Sequence, residues 1–414
     1  MKRILILVIP LCLLPYIAQA QLSMREYIVE VVEYSNALAA ARSAMDGADA
    51  DLQLARKGYL PALSASADAD YGFRRIDERD VGWGVRADIS QRLYGGGSVR
   101  VGVERARKMT EIAEERERGA MLGAEYEAAT AYWALSRAEI YSQAMASYRD
   151  IVLSLRDVVA RRFDEGYTSK SDLLQVESRL SDAEYQLSSA EQQRLVALHN
   201  LNVLRGMNPA LDVELKESIL DTMYMPHRED IEDILVRHPD YVASLAKSDY
   251  ARLGVRATQA EYLPSVNLGI YGLWQPNVPN IRDAGTRLDG GAVIRLQAPI
   301  FHFGERRESV RSARSAQRVA EFESNDVADR ISLDESNGWT NLLATHARIE
   351  ATRRNLALAR ENLEISTYSY REGMATILDV LQAQLSWLQI YENAIAAHYD
   401  YALAIAAYRY ITAQ

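Results

Sequence analysis

The sequence predicts a mainly α-helical protein with a transmembrane β part, in which long coiled-coil helical hairpins carry four strands per chain. Three observations predict it. First, the chain repeats itself. Tyr59-Leu60-Pro61 returns as Tyr262-Leu263-Pro264, a shift of 203, and Leu93-Tyr94-Gly95-Gly96-Gly97 returns as Ile300-Phe301-His302-Phe303-Gly304, a shift of 207. Glu165-Gly166 with Asp172, Leu174 and Gln175 returns as Glu372-Gly373 with Asp379, Leu381 and Gln382, again shifted by 207. The change of four falls inside the second hairpin, where a longer loop absorbs it. Second, four segments alternate apolar and polar residues. Third, no proline occurs between Pro61 and Pro209 or after Pro299. Such a period marks one supersecondary unit used twice.

Taken in order, residues 1–20 read as a secretory signal: Lys2 and Arg3, the apolar stretch Ile4–Ile17, then Ala18-Gln19-Ala20 as a small-residue cleavage site. That stretch is too short for a hydrocarbon core of ~30 Å. The only cysteine, Cys12, would leave with it, so neither a disulfide nor a lipid-modified N-terminal cysteine is expected in the mature chain. Loss of Lys2 and Arg3 takes the formal net charge from −10 to −12, which argues against nucleic acid as a partner. Past the signal no run of 18 apolar residues remains, so any membrane crossing must be made by strands.

The first repeat, 21–207, begins with helical sequence over about Ser23–Lys57. Its hairpin spans 61–94. Leu63, Ala65, Ala67, Ala69, Tyr71 and Phe73 point one way, with Ser64, Ser66, Asp68, Asp70 and Arg74 the other. Val81, Trp83, Val85, Ala87 and Ile89 oppose Arg86, Asp88, Ser90 and Arg92 in the same manner. The second repeat, 227–414, has helical sequence over about Arg228–Glu261 and a hairpin at 264–301. There Val266, Leu268, Ile270 and Trp274 oppose Ser265, Asn267 and Tyr271, and Leu288, Ala292, Ile294 and Leu296 oppose Asp289, Arg295 and Gln297. A soluble sheet packed on helices would alternate too. Export, an Ala/Val-rich face with Trp and Tyr near strand ends, and charges of both signs on the other face favour a membrane. Asp68, Arg86, Asn267 and Arg295 are then the lumen-facing set, and Leu63, Val85, Leu268 and Ile294 face lipid. Lipid tolerates no open sheet edge, and known barrels need at least about 8 strands, so several chains must share one barrel.

Ser98 to about Phe163, and Glu305 to about Tyr370, are rich in helix formers; 66 such residues would span about 100 Å. Gly119, Gly123 and Asn337-Gly338 are the expected soft spots. Return helices follow with heptads, Leu173-Val176-Leu180-Ala183-Leu187-Ala190 in the first and Val380-Ala383-Trp387-Ile390-Ala394-Ala397 in the second. Between long and return helices lie tip turns at 164–171 and 371–378. Each has a glycine stop and an aspartate in the next first turn. Residues 208–226, with Pro209 and Pro226, read as an irregular equatorial connector.

These features resemble TolC-like outer-membrane efflux proteins over essentially the whole mature length. The paired Tyr-Leu-Pro strand starts, the Tyr94-Gly95-Gly96-Gly97 and Phe303-Gly304 hairpin ends and the paired helix tips carry the resemblance. It implies a homotrimer with a shared 12-stranded barrel in outer-membrane lipid and a hollow α-barrel crossing the periplasm. It also implies a periplasmic adaptor and an inner-membrane transporter as partners. The exposed tip turns are the candidates for adaptor docking: Gly166, Thr168, Ser169, Gly373, Ala375 and Thr376. In the family, acidic residues near the second tip ring the closed entrance. Asp379 matches the first such position, Gln382 occupies the place of a second acidic residue in the best-known member, and Asp172 is the equivalent of Asp379 in the first repeat. Met374-Ala375-Thr376 replaces a bracing arginine. The structural alternative for both aspartates is helix N-terminal stabilisation.

The six histidines are scattered without metal-ligand spacing, and Tyr94–Ser98 lacks the lysine of a phosphate loop, so no cofactor and no enzymatic activity are expected. The leading function is a passive exit duct for small toxic solutes. The alternatives are the duct of an ABC-driven polypeptide secretion system and, in another class, a soluble periplasmic coiled-coil adaptor or scaffold.

Overall fold

The computed structural model describes residues 21–75, 78–276 and 286–414. The signal, with Cys12, lies outside the described residues. The order is α1 (Met24–Tyr34), α2 (Asn36–Lys57), β1 (Ala62–Arg75), β2 (Glu78–Gly95), α3 (Ser98–Asp164), α4 (Lys170–Leu204), α5 (Ile231–Arg237), α6 (Pro239–Glu261), β3 (Ser265–Pro276), β4 (Thr286–Gln297), α7 (Glu305–Arg371) and α8 (Ile377–Ile411). The duplication is exact in helix length: α3 and α7 have 67 residues each, α4 and α8 have 35 each. Both long helices run unbroken through Gly119, Gly123 and Asn337-Gly338. The shorter stretches are each split in two, at Ser35 and at His238. Pro239 explains the second break. It holds His238 extended (φ −71°, ψ 121°) and supplies the first residue of α6, where no N–H is needed.

The four strands form one antiparallel sheet in the order β1-β2-β3-β4, leaving β1 and β4 as edges. In the first hairpin Ala62 pairs with Ser90 and Phe73 with Arg79; in the second Ser265 pairs with Gln297 and Pro276 with Thr286. Shifting β1 by 203 and β2 by 207 converts the first set of pairs into the second. The register is therefore the same in both repeats, and the four extra residues are confined to 277–285, outside the described residues. The second hairpin stops short of residue 301. β4 ends at Gln297 and Ala298–Phe303 leave the sheet, because Pro299 has no N–H to continue a ladder. Among the described residues no helix is long and apolar enough to cross a membrane.

The chain divides into two compact units that do not coincide with the two repeats. One comprises residues 1–35, 123–228 and 337–410, the other 36–122, 229–336 and 411–414, so the division cuts both long helices at Gly123 and Asn337. In the first unit Tyr27, Tyr132, Leu135, Met145, Tyr148 and Leu201 form a core from which water is excluded. Burying each such side chain contributes about 1.5–3 kcal/mol. The Tyr27 hydroxyl donates to the Leu201 carbonyl at 3.1 Å. The connector is irregular but strapped down. Leu22 N–H donates to Glu214 O at 2.9 Å, Lys216 N–H returns to Leu22 O at 3.1 Å, and the Tyr132 hydroxyl meets Glu217 at 2.5 Å. α8 buries two adjacent stripes. Tyr401, Ala404 and Tyr408 pack with Leu342 of α7, and Leu388, Ile395 and Ala402 join the α3 and α4 core. In the second unit Leu38 and Leu52 of α2, Ile112 of α3, Leu253 of α6 and Ala320 and Ile331 of α7 are buried.

Candidate functional site

The two tip turns are built alike. α3 ends with Gly166 N–H donating to Phe163 O at 3.0 Å and Tyr167 N–H to Arg162 O at 2.7 Å; α7 ends with Gly373 N–H to Tyr370 O at 3.0 Å and Met374 N–H to Ser369 O at 2.8 Å. Each residue of one set is the other shifted by 207. This paired-bond stop needs a left-handed residue, and Gly166 and Gly373 take φ 78° and 76°. The return helices then start with reciprocal caps. Asp172 N–H donates to Ser169 Oγ at 3.1 Å while Ser169 N–H donates to Asp172 Oδ2 at 3.2 Å, so Ser169 caps α4. In α8, Asp379 N–H donates to Thr376 Oγ1 at 3.4 Å and Thr376 N–H to Asp379 Oδ2 at 2.8 Å. Beneath the turns Leu155, Val159, Leu173, Val176, Tyr370, Ile377, Val380 and Leu381 form one buried cluster. It holds the two tips of one chain together.

The aspartates of the sequence reading are therefore capping groups with charge to spare. The Thr168 hydroxyl donates to Asp172 Oδ2 at 2.7 Å, and the Thr376 hydroxyl to Asp379 Oδ2 at 2.7 Å. These bonds favour the ionised forms and hold both carboxyls below the usual range. Asp379 and Gln382 are exposed, and Asp172 is partly covered. Of the docking candidates, Gly166, Ser169, Gly373 and Thr376 are exposed, while Thr168 and Ala375 are half-buried.

Sequence reasoning missed Arg162. From the last turn of α3 its Nη1 donates to the carbonyls of Tyr370 at 2.6 Å and Arg371 at 3.2 Å, and its guanidinium lies 5.1 Å from the centre of the Tyr370 ring. It satisfies the orphan carbonyls at the end of α7. Its position shifted by 207 is Ser369, so the repeat gave no signal. A basic residue in a last turn was the only clue.

The sheet register sorts the strand residues into two faces. Leu63 pairs with Ile89, Val85 with Trp274 and Leu268 with Ile294, all on one side. On the other, Arg86 pairs with Ser66, Arg92 with Asn267, Asn267 with Arg295 and Asp68 with Gly84. The first face is bare: Leu63 is 76% exposed, Leu288 78% and Ile294 69%, and Trp83 meets Trp274 edge-on at 5.0 Å. The second carries a polar network. Arg86 Nε donates to both oxygens of Asp88 at 2.9 Å, its guanidinium lies 4.9 Å from the Tyr271 ring centre, and Arg287 pairs with Asp289 at 2.5 Å. Among the described residues no group of histidines, cysteines and carboxylates has metal-site geometry.

The profile described as outer membrane efflux protein matches residues 27–207 and 231–413, one match for each repeat. The chain is 22% identical over 395 residues to the outer membrane efflux protein BepC of Brucella suis, covering 93% of this chain and 84% of that one. The crystal structure of the outer membrane protein VceC from Vibrio cholerae superposes with a TM-score of 0.81 at 20% identity, over 94% of this chain and 96% of that one. A structure of CusC, described in terms of folding and transmembrane channel formation, gives 0.83 at 16% identity, over 94% and 91%.

Proposed function

The chain belongs to the outer membrane efflux protein family, and from that membership we propose that it is the outer-membrane channel of a tripartite export system. In this reading it is a passive exit duct for small toxic solutes, driven by an inner-membrane transporter through a periplasmic adaptor. One observation carries the reading: a four-stranded sheet, apolar on one face and charged on the other, whose edges β1 and β4 have no strand partner among the described residues. In lipid such edges must be closed by further copies. Three copies give 12 strands, an even number within the range of bacterial barrels. A soluble periplasmic scaffold would have no use for a bare apolar sheet face joined to a charged one.

The tips supply the finer assignments. Gly166, Thr168 and Ser169, with Gly373, Ala375 and Thr376, offer duplicated turns for an adaptor. Asp379, with neutral Gln382 one turn on and Asp172 in the first repeat, would narrow and charge the entrance where copies converge. The hydrogen bonds that keep Asp379 ionised support this role, since close carboxylates concentrate cations. The test is single-channel conductance in planar bilayers together with mass in mild detergent. A trimer that conducts is expected. A folded monomer, or a trimer without conductance, overturns the proposal.

A further inference from the structure

α7 opens with arginine. Residues 305–318 hold Arg306, Arg307, Arg311, Arg314 and Arg318 against Glu305 and Glu308, in a chain whose formal net charge is −10. With Gln259 and Gln317 these arginines line one groove of about 900 Å³ between the end of α6 and the start of α7, and no carboxylate lines it. Glu308 lies 3.8 Å from Arg307 and 3.5 Å from Arg311. Among the described residues Arg306 and Arg314 have neither a hydrogen bond nor an ion pair. Cations in a first helical turn oppose the helix dipole, so Arg306 and Arg307 do nothing for the stability of the helix end.

The first repeat fixes the side on which this groove opens. Moved back by 207, Glu305, Arg307 and Arg314 become Ser98, Arg100 and Arg107. Arg92, on the polar face of the sheet opposite Asn267, donates from Nη1 to Ser98 Oγ at 3.4 Å. Ser98 thus lies on the side of α3 that continues the polar face. Arg100 and Arg107 stand about 200° and about 180° round the helix from it, and so lie on the opposite side. Arg307 and Arg314 hold the same places on α7. That side continues the apolar face of the sheet, where Tyr94 pairs with Val266. Between β4 and α7 the chain bares Ile300, Phe301 and Phe303, the first and last at 93%. An apolar strand face, an exposed aromatic segment and a set of guanidinium groups therefore follow one another, the last within about 20 Å of the helix start.

We infer that this groove binds the phosphate of an anionic phospholipid in the leaflet that borders the helices. The inference rests on the membrane reading proposed above, which sets the apolar sheet face in hydrocarbon. Residues that follow a membrane strand then meet the interface, where aromatic rings and cations gather. Guanidinium grips phosphate oxygens in pairs, and the Gln259 and Gln317 amides offer donors to the ester oxygens beside it. The adjoining bare aromatics favour a lipid over a soluble anion or the cell-wall polymer, neither of which would cover them. The first repeat keeps less of this device. In place of Arg311 and Arg318 it has Glu104 and Glu111; Glu104 pairs with Arg100 at 2.9 Å and Glu111 with Lys108 at 2.6 Å. There the cations are answered within the chain, whereas the second repeat leaves most of its arginines to an outside anion.

The test mixes the purified full chain, in mild uncharged detergent, with phosphatidylglycerol or phosphatidylcholine and weighs the intact complexes by native mass spectrometry. Phosphatidylglycerol should be retained over phosphatidylcholine, and less so as salt rises. Arg307→Gln combined with Arg314→Gln should lower its retention about tenfold, while Arg307→Lys combined with Arg314→Lys should keep most of it. Arg100→Gln with Arg107→Gln should lower it less. Trimer mass and conductance should be the same in all of these variants. Equal retention of the two lipids, or wild-type retention by the Arg307→Gln, Arg314→Gln protein, overturns the inference. Displacement of the lipid by millimolar inorganic phosphate also overturns it, since the groove would then serve free anions. If that variant loses binding to purified peptidoglycan while its lipid retention is unchanged, the arginines serve the cell wall and the inference falls. A conducting trimer without lipid preference sinks this inference alone; a protein that neither trimerises nor conducts sinks the membrane reading with it.

Discussion

Arg162 at the end of α3 donates to the Tyr370 carbonyl at the end of α7 at 2.6 Å, and thereby ties the tip of the first repeat to the tip of the second within one chain. Arg162→Ala should free the last carbonyls of α7 while leaving the Gly166 stop intact. A hydrogen bond to a charged donor is worth about 1.5–3 kcal/mol. Hydrogen exchange should show lost protection at Gly373 and Met374 and unchanged protection at Gly166 and Tyr167. Equal loss at both tips would mean that Arg162 supports the whole cluster rather than one helix end.

Gly166→Ala and Gly373→Ala should each cost about 1–2 kcal/mol, the penalty of a left-handed Cβ. A Cβ at Gly166 meets open space, and at Gly373 only Arg162 Nη2 at 3.7 Å. Gly206→Ala should cost clearly more. It adds to a φ of 73° a clash with the Tyr34 ring at 2.5 Å. Thermal melts of the three variants rank them, and a Gly206→Ala protein as stable as the tip variants would contradict the crowding at Tyr34.

Asp379→Asn should weaken cation preference and block by multivalent cations, with little change in trimer yield; Asp172→Asn should do less. Both carboxyls are held below their unfolded range by hydrogen bonds. Their contribution to stability is therefore present above about pH 4 and lost as pH falls through the lowered folded values. Cation preference should persist across neutral and mildly acidic pH for the same reason. Wild-type selectivity in Asp379→Asn would leave Asp379 as a helix cap alone.

Cysteines at Asp68, Arg86, Asn267 and Arg295 should react with a charged thiol reagent, and those at Leu63, Val85, Leu268 and Ile294 should not. An arginine at a mid-bilayer position of the second set should cost about 2–4 kcal/mol. Equal labelling of the two sets would rule out a lipid-facing side.

Cysteines at Ser169 and Thr376 should cross-link to an adaptor in cells. Cross-links confined to 208–226 would place docking at the connector instead.

The alternation of apolar and polar residues made the strands legible, and the constant 207-residue shift made the helix tips legible, because both are local patterns repeated. What stayed hidden depends on contacts distant in sequence or on backbone rather than residue type. Arg162 finds Tyr370 only once two helices pack. The second buried stripe of α8, through Leu388, Ile395 and Ala402, is masked by a helix that is apolar nearly all round. Phe303 takes φ 44° where the first repeat has Gly96 at φ 62°, so the turn survives as geometry although its residue changed. The early end of β4 was readable from Pro299, whose missing N–H the alternation pattern ignores. At the tips, the Ser169–Asp172 and Thr376–Asp379 caps were legible from residue type. Whether their carboxylates also meet across copies is a property of the assembly.

The shared pairing register has a practical consequence. Pro276 and Thr286 are cross-strand partners, so whatever lies between them is bracketed by a fixed clamp. This segment is four residues longer than its counterpart in the first repeat, yet the strand pairs correspond. Doubling a loop adds only about 0.6 kcal/mol of closure entropy. An epitope or affinity peptide inserted between Pro276 and Thr286 should therefore leave the ladder on either side in its alignment.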